Sequence, residues 1–303
     1  PTLSKVEELR ERAEELRADV DATVELFGSL PWPSFERETE YVALVHPDYY
    51  GFIDGEIGST DGYTLPIERY RAVTSERMAA QSTGKDTAFN RDSYMVGALA
   101  RFNLKQQHLH PRAKAAASHL GLSAPCYRPF CNSAAQVVEI THCVDDVILL
   151  LDEVLKRGIE WEEPAPVTLK PGARGVGACD VPRGILFHEY QIDENGLIEE
   201  ANCIIPTGQN LGNVDRDMRA LVPTLLTEPE DSIRLKMEML VRAYDRQTGR
   251  LTVEATRLWA QAFPVLRNLP IPVHSCLLDN LVLAVCVLDA ALVGETRAVS
   301  PTF

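Results

Sequence analysis

Two short motifs bring together residue types able to handle an anion: Asp180-Val181-Pro182-Arg183-Gly184 and Pro206-Thr207-Gly208-Gln209-Asn210. Arg183 is a fixed cation. Pro182 presets the backbone before it, and Gly184 lets a ligand or another segment come close. Between the motifs, Ile185–Ile192 and Leu197–Ile205 are strand-length runs rich in β-branched and aromatic residues, joined by Asp193-Glu194-Asn195-Gly196. That pattern predicts a β-hairpin. A turn centred between Glu194 and Asn195 sets Arg183 opposite Pro206, so that a guanidinium and a Pro-Thr bend share one open end. The plainer readings are a turn whose arginine pairs with a carboxylate and a strand exit with a local Asn cap. Asp180 either orients Arg183 or caps the turn.

The elements that must position these motifs are legible in part. Ser4 and Glu7 form a capping box for a helix over 4–27, in which Val6, Leu9, Ala13, Leu16, Val20, Val24 and Phe27 recur at helical spacing and Gly28 stops it. Segment 29–103 reads as irregular, with a short hairpin around Tyr41–Ile57 turning at Asp54-Gly55. Asn132 or Ser133 caps a helix running to Lys156, apolar nearly all round and so expected to be deeply buried. Residues 159–172, with Pro164, Pro166 and Pro171, read as a surface linker. Helices are expected near Val214–Leu221 and from a capping box at Thr227 and Glu230 to Tyr244. Beyond Asp245 the texture changes, and 246–303 is read as a separate tail. The fold class is α+β, mostly helical.

The 303-residue chain is 45% apolar and 24% charged, ordinary for a globular protein, and its net charge of −14 argues against nucleic acid and anionic membrane surfaces. Seven cysteines, an odd number without CxxC spacing, fit a reduced cytoplasmic compartment. The longest apolar run, Leu277–Val293, carries Asp279 and Asp289 and does not suit a bilayer span. His108, His110, Cys126, Cys131, His142 and Cys143 match no common zinc spacing and read as satisfied core residues. Gly172-Ala173-Arg174-Gly175-Val176-Gly177 follows a proline-rich stretch rather than a strand, and is not read as a nucleotide loop.

The run Gly175–Gly184, the hairpin and Pro206–Asn210 resemble the large subunit of nickel–iron hydrogenases of the soluble cytoplasmic type. Phe35–Leu44 and Val96–Asn103 agree with it. The resemblance covers about residues 1–245 and implies a hydrogenase-like helical core with a hairpin carrying the site. It further implies a centre of nickel and iron with cyanide and carbonyl ligands, held by four cysteines, and a partner iron–sulfur small subunit that takes the electrons. By the same resemblance, Arg183 lies beside the metals as one candidate base for H2 cleavage, a nickel-bound thiolate being the other. Leu186 lines the pocket, and Pro206 and Thr207 cradle a cyanide. Asp180, Pro182, Gln209 and Asn210 belong to the same surround. The chain departs from the family where Arg-x-Cys-Gly-x-Cys is expected at the front and where Pro-Cys-x-x-Cys should follow Asp245. The expectation is an incomplete large subunit whose own residues hold no metal, and a non-catalytic hydrogenase-like subunit of a respiratory-complex type is the alternative.

Overall fold

The computed structural model describes residues 2–78, 84–160, 163–164 and 170–245. The expected tail 246–303 lies outside the described residues. In chain order the elements are α1 (Leu3–Gly28), β1 (Glu40–Val45), β2 (Glu56–Ser59), β3 (Thr64–Leu65), α2 (Tyr70–Val73), β4 (Arg77–Met78), β5 (Lys85–Asp86), β6 (Tyr94–Met95), α3 (Ala98–Lys105), α4 (Pro111–His119), α5 (Asn132–Arg157), β7 (Arg174–Asp180), β8 (Ile185–Ile192), β9 (Ile198–Ile204), α6 (Pro206–Leu225) and α7 (Glu230–Tyr244). Helix predominates over strand, and the class is α+β.

The two longest helices follow their periodicity. Val6, Ala13 and Val20 of α1 are buried against Ile140, Val144, Val147, Ile148 and Leu151 of α5. The cap of α1 is Thr2, whose side chain accepts from Lys5 N, rather than Ser4. On α5 the structure corrects two expectations. Asn132 lies inside the helix and its amide is used elsewhere, and Leu149 and Leu150 are 55% and 40% exposed, so one stripe of this apolar helix faces outward. A second core joins the first half of α5 to α3, α4, α6 and α7, with Leu99, Phe130, Ala135, Val222 and Leu240 at its centre. A third lies between the sheets, where Val42 and Leu44 of β1 meet Ile185 and Phe187 of β8. Phe187 stacks on Tyr70 with ring centroids 5.2 Å apart.

The strands form a sheet of order β3-β2-β1-β6, a small β4-β5 pair and a three-stranded sheet β7-β8-β9. The pairing of β1 with β2 is the hairpin expected around Tyr41–Ile57, although ten residues, 46–55, connect the strands and Gly55 stands at the entry to β2. The predicted hairpin exists as β8-β9, with its register shifted by two: Phe187 faces Ile204, not Asn202. Asp193 causes the shift, because its carboxylate accepts Asn195 N and Leu197 N, both at 2.8 Å, widening the turn, and an irregularity follows at Gln191/Ile192. β7, on the glycine-rich run read as non-strand, completes the sheet with Asp180 opposite Ile185.

Burial makes one histidine sensitive to acid. His142 on α5 is 4% exposed, packed on the rings of His110 and Tyr50 at 4.4 and 4.9 Å. Burial pulls its pKa down to about 3, and the charges of His110 and Lys105 act in the same direction. The unfolded chain therefore binds a proton near pH 6.5 that the folded chain refuses, and stability falls as pH falls. Between pH 7 and pH 5 this residue is expected to remove about 2 kcal/mol. Urea titrations at both pH values should show that extra loss in the native chain and not in His142→Gln.

Candidate functional site

The Pro182–Gly184 turn sits against the junction of β6 and α3. Gly184 has φ +138°, and a Cβ there would lie 2.2 Å from Val96 Cγ2, while a Cβ on Gly97 (φ +115°) would lie 3.0 Å from Arg183 O. Only paired glycines allow that approach. Asn210 ties the two backbones, accepting Val96 N at 2.9 Å and donating to Arg183 O at 3.5 Å. Gln209 donates to Ile185 O at 2.5 Å and accepts from Tyr94 OH at 3.3 Å. These contacts are possible because Pro206–Asn210 is the first turn of α6, with Pro206 at N1. The strand-exit reading is thus corrected: proline suits the first helical position, where no amide hydrogen is needed.

Arg183 and Thr207 meet at one carboxylate. Arg183 Nε donates to Asp245 Oδ1 and Thr207 Oγ1 to Asp245 Oδ2, each at 2.8 Å. Asp245 follows α7 directly and is 8% exposed. Its position is set by Tyr244, whose hydroxyl accepts from Asn213 Nδ2 at 2.7 Å and donates to Asp217. Asn213 Oδ1 in turn accepts from Thr39, Ser93 and Arg37 at 2.6, 2.8 and 2.7 Å, and Arg37 also pairs with Asp217. Burial pushes the Asp217 carboxyl upward, with Arg37 and Tyr244 opposing.

Asp180 neither orients Arg183 nor caps the turn. It is fully buried and accepts from Arg101 Nη1 at 2.7 Å and Leu44 N at 2.8 Å. Arg101, also fully buried, holds Glu139 at 2.5 and 2.6 Å and the carbonyls of Asp180 and Pro182 at 2.9 and 2.8 Å. Burial works against its charge, but Glu139 and Asp180 outweigh that and hold its pKa well above the ordinary value. Lys105 lies nearby, donating to Leu44 O and Gly51 O, and burial pulls its pKa to about 8. Leu186 does not face the third core: it points to the half-buried face of β8 shared with His188. Arg101, Glu139, Asn213 and Asp245 were not picked out as site residues from sequence. A buried arginine on an apolar helix such as Ala98–Lys105 was the one available signal, since it demands partners.

The donor set bears on what the hollow can hold. Arg183, Thr207 and Asp245 are hard, oxygen- and nitrogen-bearing groups suited to an anion or a proton, whereas nickel–iron centres take soft thiolates. The five cysteines among the described residues lie elsewhere in the fold or on strand β7: Cys126 and Cys131 before α5, Cys143 along α5, Cys179 beside Asp180, and Cys203 on the exposed sheet face. The described residues therefore fit a hydrogen-bonding surround for such a centre and not its ligation. Cys276 and Cys286 fall outside the described residues. His110, His142 and Asp146 also have ligand atoms within 4.8 Å of one another. However, His142 Nδ1 accepts His110 N at 3.1 Å, which puts the ring proton on Nε2 and leaves no lone pair for a cation.

No family model matches the chain. Among solved structures it is similar to an NAD+-reducing [NiFe]-hydrogenase, with a TM-score of 0.66 and 23% identity, covering 80% of this chain and 58% of that one. It is also similar to the Ni-Fe-Se hydrogenase of D. vulgaris Hildenborough, with a TM-score of 0.53 and 17% identity, covering 81% of this chain and 60% of that one. The fold is that of a nickel–iron hydrogenase large subunit. Among curated proteins, the alpha subunit of sulfhydrogenase 1 of Pyrococcus furiosus is 30% identical over 249 residues, 81% of this chain and 57% of that protein. An F420-non-reducing hydrogenase iron-sulfur subunit of Archaeoglobus profundus is 26% identical over 76% of this chain and 55% of its own length. The chain is homologous to hydrogenase large (alpha) subunits, and it spans a little over half the length of these relatives. The relatives named do not favour the non-catalytic alternative. Among the described residues no helix is long and apolar enough to cross a membrane.

Proposed function

We propose that this chain forms the part of a hydrogenase large subunit that surrounds the hydrogen-activating centre, in a cytoplasmic assembly with an iron–sulfur small subunit. One observation carries the reading: in a chain with this fold and these homologues, Arg183 Nε and Thr207 Oγ1 converge on the single carboxylate of Asp245. When bound, a nickel–iron centre supplies the H2 chemistry. The residues of this chain supply its setting. Arg183 offers a charge that no pH change removes, Thr207 adds a hydroxyl donor, and Asp245 holds both in place until an anionic group competes for them. The hollow has little solvent on the Asp245 side, so each hydrogen bond counts for more than in water. Asp245 is also the group that can accept a proton beside Arg183.

The test uses the assembled, metal-loaded complex containing the full chain, with H2-dependent dye reduction as readout. Arg183→Lys keeps the charge but loses the fork geometry, and turnover is expected to fall about 10²–10³-fold, with nickel content unchanged. Equal turnover in the variant, or a metal-loaded complex with no reaction toward H2, would remove the proposal. Thr207→Val is expected to lower turnover less, since one neutral donor is lost.

A further inference from the structure

A pair of cysteines at the foot of α5 plays no part in that site. Cys126 is fixed by its backbone: its amide donates to Asn103 Oδ1 at 2.8 Å, and its carbonyl accepts from Asn103 Nδ2 at 3.0 Å and Tyr41 OH at 2.8 Å. Cys131 closes a 3-10 turn over Pro129–Cys131, with its amide on Arg128 O at 2.9 Å, and is the residue immediately before α5. The two thiols hydrogen-bond each other, and the Arg128 guanidinium reaches Cys126. Both side chains therefore stand at the positive end of a 26-residue helix beside an arginine. Core cysteines with no role are not placed this way: an apolar setting keeps them protonated and inert.

We propose that Cys126 and Cys131 are a peroxide-sensitive dithiol that closes to a reversible disulfide. Cys126 is the attacking sulfur, because its partner's S–H and Arg128 favour the thiolate and bring its pKa to about 6, while the Cys131 thiol is pushed up and keeps its proton. The Cys126 thiolate attacks one oxygen of hydrogen peroxide, the O–O bond breaks, and with one proton taken up the products are a sulfenic acid and water. Cys131 then attacks the Cys126 sulfur and expels a second water. Two thiols and one peroxide give one disulfide and two waters, the sulfur pair losing two electrons and the peroxide gaining them. A small dithiol reverses it by exchange. Both residues are about 95% buried, at 5% and 4% exposure, which favours an oxidant as small as peroxide. The bridge would form next to Asn132, which accepts Leu99 N at 2.8 Å and donates to Ala243 O at 2.5 Å, two residues before Asp245.

The full reduced chain is treated with hydrogen peroxide, quenched by alkylation and mapped as peptides without reduction. The linked 126–131 peptide is expected to form roughly tenfold faster than oxidation at the exposed Cys203, since an ordinary thiol is only a few per cent thiolate at pH 7. Its rate should rise through about pH 6 and level off above it, as the thiolate fills. Dithiothreitol should restore both thiols. Cys131→Ser should trap a dimedone-reactive sulfenic acid at Cys126, and Arg128→Met should slow the reaction and move its pH onset upward. Cys126 and Cys131 remaining thiols while Cys203 oxidises, or linked peptides joining either to a different cysteine, would overturn the proposal. The wild-type map decides this even where a variant fails to fold.

Discussion

Arg101→Met is expected to cost about 3–5 kcal/mol of folding stability. The side chain lies wholly inside the protein and binds two carboxylates, Glu139 and Asp180, together with the carbonyls of Asp180 and Pro182. Methionine fills a similar volume but leaves two buried carboxylates facing each other with only Lys105 nearby. Those groups would either take up protons or draw in water. Tyr50, whose hydroxyl donates to Glu139 Oε1 at 2.8 Å, softens the loss without removing it. Urea denaturation at pH 7 provides the measurement. A loss below about 1 kcal/mol would mean that Arg101 and its partners are far wetter than this packing indicates. The double variant Arg101→Met with Asp180→Asn should recover part of the loss, because one uncompensated charge is then gone.

Gly184→Ala is expected to destabilise by about 2–5 kcal/mol, the sum of a backbone held at positive φ and of overpacking. The new methyl would fall 2.2 Å from Val96 Cγ2 and 2.6 Å from Val96 Cβ, closer than any relaxed contact, with the amide of Gly97 at 3.2 Å. Val96 has little room to retreat, because it is fully buried and its own amide is held by Asn210. The turn must therefore move, and Arg183 moves with it. Thermal unfolding gives the stability. A crystal structure of the variant should show the Arg183–Asp245 pair lengthened or broken, and an unshifted pair with unchanged melting would contradict the account of this junction. Glycine at 184 is thus a condition of the site and not a flexible hinge.

Much of the frame was readable in residue order. The spacing of Val6, Ala13, Val20 and Phe27 determined α1, and Gly158 ended α5 one residue beyond Arg157. The alternation of Ile185, Phe187 and Glu189 on β8 chose the buried face, and Asp193–Gly196 chose the turn. Local rules failed where a residue type suits two roles. Proline and glycine in Pro206-Thr207-Gly208 read as a loop, yet proline at a helix start is equally at ease. The glycines of Arg174–Gly177 read as a break, yet they lie in a strand because β8 offers a ladder to pair with. The two-residue error in the β8-β9 register has the same origin: an Asx turn stabilised by Asp193 competes with the tighter turn that the pattern suggested.

What the residues determined by themselves is the set of parts: two long helices, a hairpin, and a cation and a hydroxyl set for the same end of it. Local hydrophobic periodicity and turn chemistry act over a few residues, so they are visible in any stretch of chain. What only the tertiary structure decided is who meets whom. Asp245 closes the site from 62 residues beyond Arg183, and Arg101 binds Asp180 from 79 residues before it. Such pairs follow from where whole helices pack and from the need to satisfy every buried charge, and neither condition can be evaluated until the chain has closed on itself.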